Sequence, residues 1–264
     1  MIKITYIVPI NVFNSKIEDA YKTTILSIEE NAIKDDRVIF VGKKENIEKA
    51  LTFYKPNVTI TTVESEESDY VKLISSAVFQ CVTPYFSVLE IGDSYCSFWR
   101  TTMLRYLTPE LSILLPINKF FEKNTFVCLG NEIAWSIGFA NMAENGKGLG
   151  FLDVDCLKTY LDFNVTGGLI KTEDFITLGG LKPSLKIAAW YEFLLRIAFN
   201  EKNIFIVPKA SYQHLIDFKE GYMECYKKEI TKEYGTWLIK KAQEEYEFKE
   251  EREIKYEPSS DAKK

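Results

Sequence analysis

Carboxylates at Glu90, Asp93 and Glu192, a lone imidazole at His214 and a glycine pair at Gly167 and Gly168 are the groups through which this chain could do chemistry. Glu90-Ile91-Gly92-Asp93 follows the apolar run Tyr85 to Leu89, which puts two hard oxygen donors at the end of a strand. An acid at such an end can also be a solvated helix cap, the plainer reading of Glu-x-x-Asp taken alone. His214 closes Ala210-Ser211-Tyr212-Gln213-His214 and is the only histidine. Imidazole ligates metals and moves protons near neutral pH, although a lone histidine is usually structural. Glu192 stands four residues before Arg196, so an i,i+4 ion pair competes with any catalytic use of it. Glycine pairs let a backbone approach a ligand closely.

Apolar periodicity supplies the scaffold for these groups. Ile2 to Ile10 is almost continuously apolar from Tyr6, the pattern of a parallel strand covered on both faces. Ser15-Lys16-Ile17-Glu18 has the form of a capping box, and Ile17, Ala20, Tyr21, Thr24, Ile25 and Ile28 give the following helix one apolar stripe. Next come a strand from Arg37 to Gly42, a helix from Glu45 to Tyr54 stopped by Pro56, and a strand from Val58 to Val63. A helix from Asp69 to Gln80 with Ser68 as N-cap and a strand from Tyr85 to Glu90 complete the series. This alternation predicts right-handed crossovers and a mainly parallel sheet, whose ligand crevice lies beyond the carboxyl ends of the strands. Asn11, Gly42 and Asp93 fall at those ends.

Beyond Cys96 the rhythm weakens. A helix is expected near Phe98 to Tyr106, an apolar run from Ile113 to Ile117 and another around Val127. Asn145-Gly146-Lys147-Gly148-Leu149-Gly150 reads as a flexible loop, since no strand precedes it and it lacks the G-K-S/T ending of a phosphate loop. Pro183 to Asn200 is expected as one long helix with Ser184 as N-cap, followed by a strand from Ile204 to Val207. Glu220 to Lys255 reads as one or two charged helices with a stripe at Tyr222, Cys225, Tyr226, Ile230, Tyr234, Trp237, Leu238 and Lys241. That stripe is expected to be buried, and Glu257 to Lys264 to be a disordered end.

Composition narrows the partners. The balance of 33 basic against 38 acidic residues gives a net charge of −5 and leaves no global basic field for phosphate backbones, so nucleic acid is a poor default partner unless a local patch holds it. Five scattered cysteines, odd in number and without a C-x-x-C pair, argue against a disulfide framework and a structural zinc site. The amino terminus lacks the pattern of a signal peptide, and no apolar run approaches the ~20 residues of a membrane span. A cytoplasmic location is therefore expected, and a homo-oligomer stays open because the carboxy-terminal stripe could be buried against a partner subunit.

The order of Val165-Thr166-Gly167-Gly168, then Thr177-Leu178-Gly179-Gly180, then Trp190 to Arg196, then His214 resembles the acceptor half of family 2 glycosyltransferases of the GT-A type. Ile4-Thr5-Tyr6-Ile7-Val8-Pro9-Ile10-Asn11 resembles the first strand and nucleotide-binding turn of the same family. The resemblance implies an α/β GT-A domain over residues 1–217, with a charged helical extension at 218–256 and a tail at 257–264. It implies sugar transfer with inversion from a nucleotide sugar, expected to be UDP-linked, to an unknown acceptor hydroxyl. It assigns Pro9, Ile10, Asn11, Asp69 and Glu90 to the nucleotide, and Asp93, His214 and Glu90 to Mg²⁺ or Mn²⁺, which would act as a Lewis acid on the leaving diphosphate. Gly167 and Gly168 would form the acceptor or sugar loop.

Three departures accompany that likeness. Gly92 stands where the family carries its most direct metal ligand. Val41-Gly42-Lys43-Lys44 replaces an Asp-Asp pair, although its lysines could offset diphosphate charge. Ala189 and Trp190 occupy the positions of the usual Glu-Asp base, which leaves Glu192 as the nearest acid, turned about 200° around an ideal helix; Glu173 and Asp174 are reserves. Two other classes therefore stay open: a GT-A scaffold that binds without turnover, and sugar transfer to modified DNA bases.

Overall fold

The computed structural model describes residues 1–123, 125–132, 135, 148–161, 163–216 and 232–254, with side chains left out at 233–234 and 247–254. Ten strands form one sheet: β1 Ile4–Ile10, β2 Arg37–Gly42, β3 Thr59–Glu64, β4 Tyr85–Val88, β5 Ser94–Tyr95, β6 Leu111–Glu122, β7 Thr125–Gly130, β8 Phe151–Leu152, β9 Leu169–Lys171 and β10 Asn203–Leu215. The order is β3-β2-β1-β4-β9-β6-β10-β5, with β7 beside β6 and β8 beside β10. Pairs among β3, β2, β1 and β4 are parallel, as is β6 with β10; β9 is inserted antiparallel between β4 and β6. Crossing β9 reverses direction twice, so β6 and β10 run the same way as β1.

Helices cover both faces. α1 Glu18–Asn31, α2 Lys44–Phe53 and α4 Trp99–Tyr106 pack on one side, where Tyr21, Ile25, Ile47, Trp99 and Met103 meet Ile4, Tyr6 and Val8 of β1. α3 Tyr70–Val78, α5 Val154–Thr159, α6 Thr172–Thr177, α7 Ala189–Phe199 and α8 Glu233–Ile254 belong to the other, with Ile7 of β1 in their core. Every residue of β1 is buried, Thr5 included, as its nearly continuous apolar run leads one to expect. Among the described residues no helix is long and apolar enough to cross a membrane.

Several local expectations are corrected. The Ser15 capping box does not form: α1 has Ile17 at its N-cap without a side-chain bond, and the turn before it is made by Asn14, whose Oδ1 accepts from Lys16 N at 2.9 Å. Asp69 rather than Ser68 caps α3, accepting from Val71 N at 2.9 Å and Lys72 N at 3.3 Å. Pro183 to Asn200 is two pieces, a 3₁₀ turn Pro183–Ala188 and then α7, because Lys186 adopts φ 44° and breaks the hydrogen-bond ladder. β10 runs on to Leu215, so His214 lies within the strand and not after it. The Pro208-containing stretch is absorbed by register shifts between Val207 and Tyr212.

α8 packs on α7 through Leu238, Ile239, Ala242 and Tyr246. Its buried face is therefore rotated from the expected stripe, and Trp237 is 52% exposed beneath the ammonium of Lys241. The stripe residues Tyr222, Cys225, Tyr226 and Ile230, the Tyr234 side chain, most of the loop at Asn145 and the tail from 257 to 264 lie outside the described residues.

Candidate active site

The sheet carries Asp93 and His214 to one place. Glu90 and Asp93 follow β4 in a turn tied to α1, where the Thr24 hydroxyl donates to Asp93 O at 2.8 Å and accepts from Gly92 N at 2.9 Å. Gly92 takes φ 99°, a backbone that an acid at this position could adopt only with strain. β10 then delivers three donors to the Asp93 carboxylate. His214 Nδ1 lies 2.9 Å from Oδ1, Leu215 N donates to Oδ1 at 3.2 Å, and the Tyr212 hydroxyl donates to Oδ2 at 2.5 Å. Asp93 and His214 are each 1% exposed. Burial, reinforced by the Asp93 charge, pushes the Tyr212 phenol well above its ordinary value and keeps it a donor.

Gly167 completes this wall. Its φ is 73°, its N–H donates to Val88 O at 2.9 Å, and its carbonyl accepts from Trp99 Nε1 at 2.8 Å. A Cβ there would lie 2.2 Å from the Tyr212 ring, so the close approach that demands glycine is to tyrosine. Gly168 is likewise buried, its N–H bonded to Val165 O at 3.0 Å. Gly180 N bonds Phe175 O at 2.8 Å and terminates α6.

Pro9 and Ile10 are buried at the carboxyl end of β1, and exposed Asn11 accepts at its carbonyl from Asn46 Nδ2 at 2.7 Å. Half-buried Asp69 sits at the head of α3, and Glu90 is buried between β4 and Asp93.

Glu192 is held elsewhere. It lies in the first turn of α7, among Trp190, Tyr191 and Phe193 in the helical layer across the sheet from Tyr212. At 0% exposure, its carboxylate bonds Arg196 at 2.7 Å, Lys182 at 2.9 Å and the hydroxyl of Tyr246 from α8. Arg196 also donates to the Leu178 and Gly180 carbonyls at the end of α6. The i,i+4 ion pair foreseen as the alternative for Glu192 is thus formed, inside a cage linking α6, α7 and α8. Asp174 is committed as well, to Ser112 at 2.6 Å and Lys202 at 3.0 Å.

A divalent cation does not fit the donor set in this arrangement. Asp93 spends both oxygens on donors, Gly92 offers no side chain, and among the described residues no three His, Cys, Asp or Glu side chains converge to hold a metal.

Residues not singled out from sequence line the same region. Asn118 on β6, Asn131 after β7, and Asn164 and Thr166 before Gly167 are all buried. Asn131 is fully bonded, to Pro116 O and to the Asn164 backbone on both sides, at 2.9 Å each. Among the described residues Asn118 Oδ1 and Nδ2 and Asn164 Nδ2 have no partner, a cost of about 1–3 kcal/mol for each such group. The available signal was Asn118 interrupting the apolar run of β6.

No protein-family model matches the sequence, and no curated protein matches it. Solved structures do. TarS of S. aureus aligns with TM-score 0.57 at 14% identity over 98% of this chain and 44% of that one, so the chain spans less than half the length of that protein. TarS 1-349 in complex with UDP-GlcNAc aligns with TM-score 0.53 at 14% identity, over 81% of this chain and 58% of that one. The mannosyltransferase PcManGT from Pyrobaculum calidifontis, in complex with GDP-Man and Mn²⁺, aligns with TM-score 0.54 at 11% identity, over 97% and 65%. With its strand order and flanking helices, the chain has the GT-A fold that TarS and this mannosyltransferase share.

Proposed function

We propose that this chain transfers a sugar from a nucleotide sugar, with a UDP sugar as the expected donor, to an acceptor hydroxyl with inversion, in the manner of family 2 glycosyltransferases. The observation that carries this reading is the meeting of Asp93 with His214, 121 residues apart, beyond the carboxyl end of β4 in a GT-A fold. Pro9, Ile10, Asn11, Asp69 and Glu90 would border the nucleotide. Lys43 and Lys44, just past β2, would offset part of the diphosphate charge. In an inverting transfer the acceptor oxygen forms the new bond at the anomeric carbon, the nucleoside diphosphate leaves with its bonding pair, and the hydroxyl proton passes to solvent water. The chain's part is to orient donor and acceptor and to balance that charge. Glu192, caged by two cations and a phenol, serves as an internal counter-ion.

A second reading, a GT-A scaffold that binds without turnover, is favoured by Gly92 and by the saturation of both Asp93 oxygens. Thermal denaturation with UDP-glucose, UDP-galactose, UDP-N-acetylglucosamine and GDP-mannose separates the two. One UDP sugar should stabilise the chain by about 2.7 kcal/mol at 100 times its dissociation constant. The shift should be the same with Mn²⁺ or with a chelator, since Asp93 spends both oxygens on donors and no cation site is formed among the described residues. Binding without any release of nucleoside diphosphate favours the second reading, and a midpoint unmoved by every compound removes the first.

A further inference from the structure

We propose that Asn118 and Asn164 form a neutral, hydroxyl-binding wall for the sugar part of the donor, a role that rests on the transferase reading above. Asn118 is in register with Tyr212 across β6 and β10, and the next pair along that face, Phe120 and His214, has its rings 5.1 Å apart. Register partners on neighbouring strands share a face. Asn118 therefore stands on the side of the sheet where Tyr212 donates to Asp93. Asn164 reaches the same tyrosine from the glycine loop: its Oδ1 accepts from Thr166 N at 3.1 Å and from the Thr166 hydroxyl at 2.6 Å, and Thr166 in turn bonds Tyr212.

Asn118 is 0% exposed, yet neither of its amide atoms has a partner, and Asn164 Nδ2 has none either. Buried polar groups are ordinarily paired. Asn131, between them in the fold, shows that the region can satisfy an amide completely when the role is structural. The orphaned atoms thus await a polar group that the described residues do not supply. An uncharged amide presents a donor and an acceptor side by side, the complement of neighbouring sugar hydroxyls. A carboxylate would be matched instead by Arg or Lys, and neither amide carries that charge.

Calorimetric titration with UDP, and with the UDP sugar giving the largest shift in the panel above, tests this on the wild-type chain, Asn118→Leu and Asn118→Ala. Wild type should bind the sugar nucleotide more tightly than UDP. Both variants should keep UDP affinity within about twofold and lose about tenfold or more of the affinity that the sugar adds. Asn118→Leu, which removes two unpaired polar atoms at nearly constant volume, should also raise the denaturation midpoint of the ligand-free chain. A sugar contribution that survives in both variants overturns the proposal and leaves Asn118 to an enclosed water. Equal losses for UDP and the UDP sugar overturn it too, since the amide would then act on the nucleotide. A wild-type chain that binds no nucleotide at all defeats the transferase reading first, and the wall with it.

Discussion

Deleting α8 from Glu233 onward is expected to remove most of the stability of the whole domain. Leu238, Ile239 and Tyr246 are buried against α7 in the same core cluster that holds Ile7 of β1, so the helix closes the core and does not merely follow it. Burying such side chains contributes ~1.5–3 kcal/mol each, roughly 5–9 kcal/mol for the three, against a typical domain stability of ~5–15 kcal/mol. The deletion also takes the Tyr246 hydroxyl from Glu192, Glu245 from Lys182, and Gln243 from the Tyr191 hydroxyl. Urea denaturation of the shortened and full chains checks this. A midpoint that does not move would show that α8 is an appendage.

Glu192→Ala should be the most damaging single substitution, at about 3–5 kcal/mol, because it strands Arg196 beside a buried void and leaves Lys182 only Glu245 as its counter-ion. Glu192→Gln keeps the shape and part of the hydrogen bonding, so it should cost less, while donor affinity stays at the wild-type level. Had Glu192 been the general base, Gln would cost ~10²–10⁴ in turnover with little change in the denaturation midpoint. Denaturation and turnover of both variants therefore distinguish a counter-ion from a base.

Parallel strands were the most legible part of the molecule. β1, β2 and β4 are covered on both faces, so their runs are mostly apolar and fall within a residue or two of the observed bounds. The second half of β10 escaped notice because Ser211, Tyr212, Gln213 and His214 are polar or amphipathic, and Pro208 reads as a stop although a register shift carries the strand past it. The break at Lys186 was invisible, since Leu185, Lys186 and Ala188 are good helix formers and no glycine or asparagine marks a positive φ there. α8 was found, but its buried face turns on Ala242 and Tyr246, and Trp237 drew the expected stripe to the wrong side.

At the candidate site, Asp93 was marked by its place just past β4 and His214 by its place in the family resemblance, although the structure sets His214 inside β10. Nothing in sequence could reveal that Tyr212 and Leu215 would saturate Asp93, since both bonds depend on how β10 meets the turn after β4. The unpaired amides of Asn118 and Asn164 were equally hidden, because an unmet hydrogen bond is a property of the packed fold.

The central claim is a nucleotide-sugar site beyond the carboxyl ends of β1 and β4, and photo-crosslinking with a 5-azido-uridine diphosphate sugar tests it most directly. The account predicts labelling that unlabelled UDP suppresses, mapped to peptides containing Pro9 to Asn11, Asp69 or Glu90 to Asp93. Labelling that UDP does not suppress, or that maps to other parts of the chain, would contradict it.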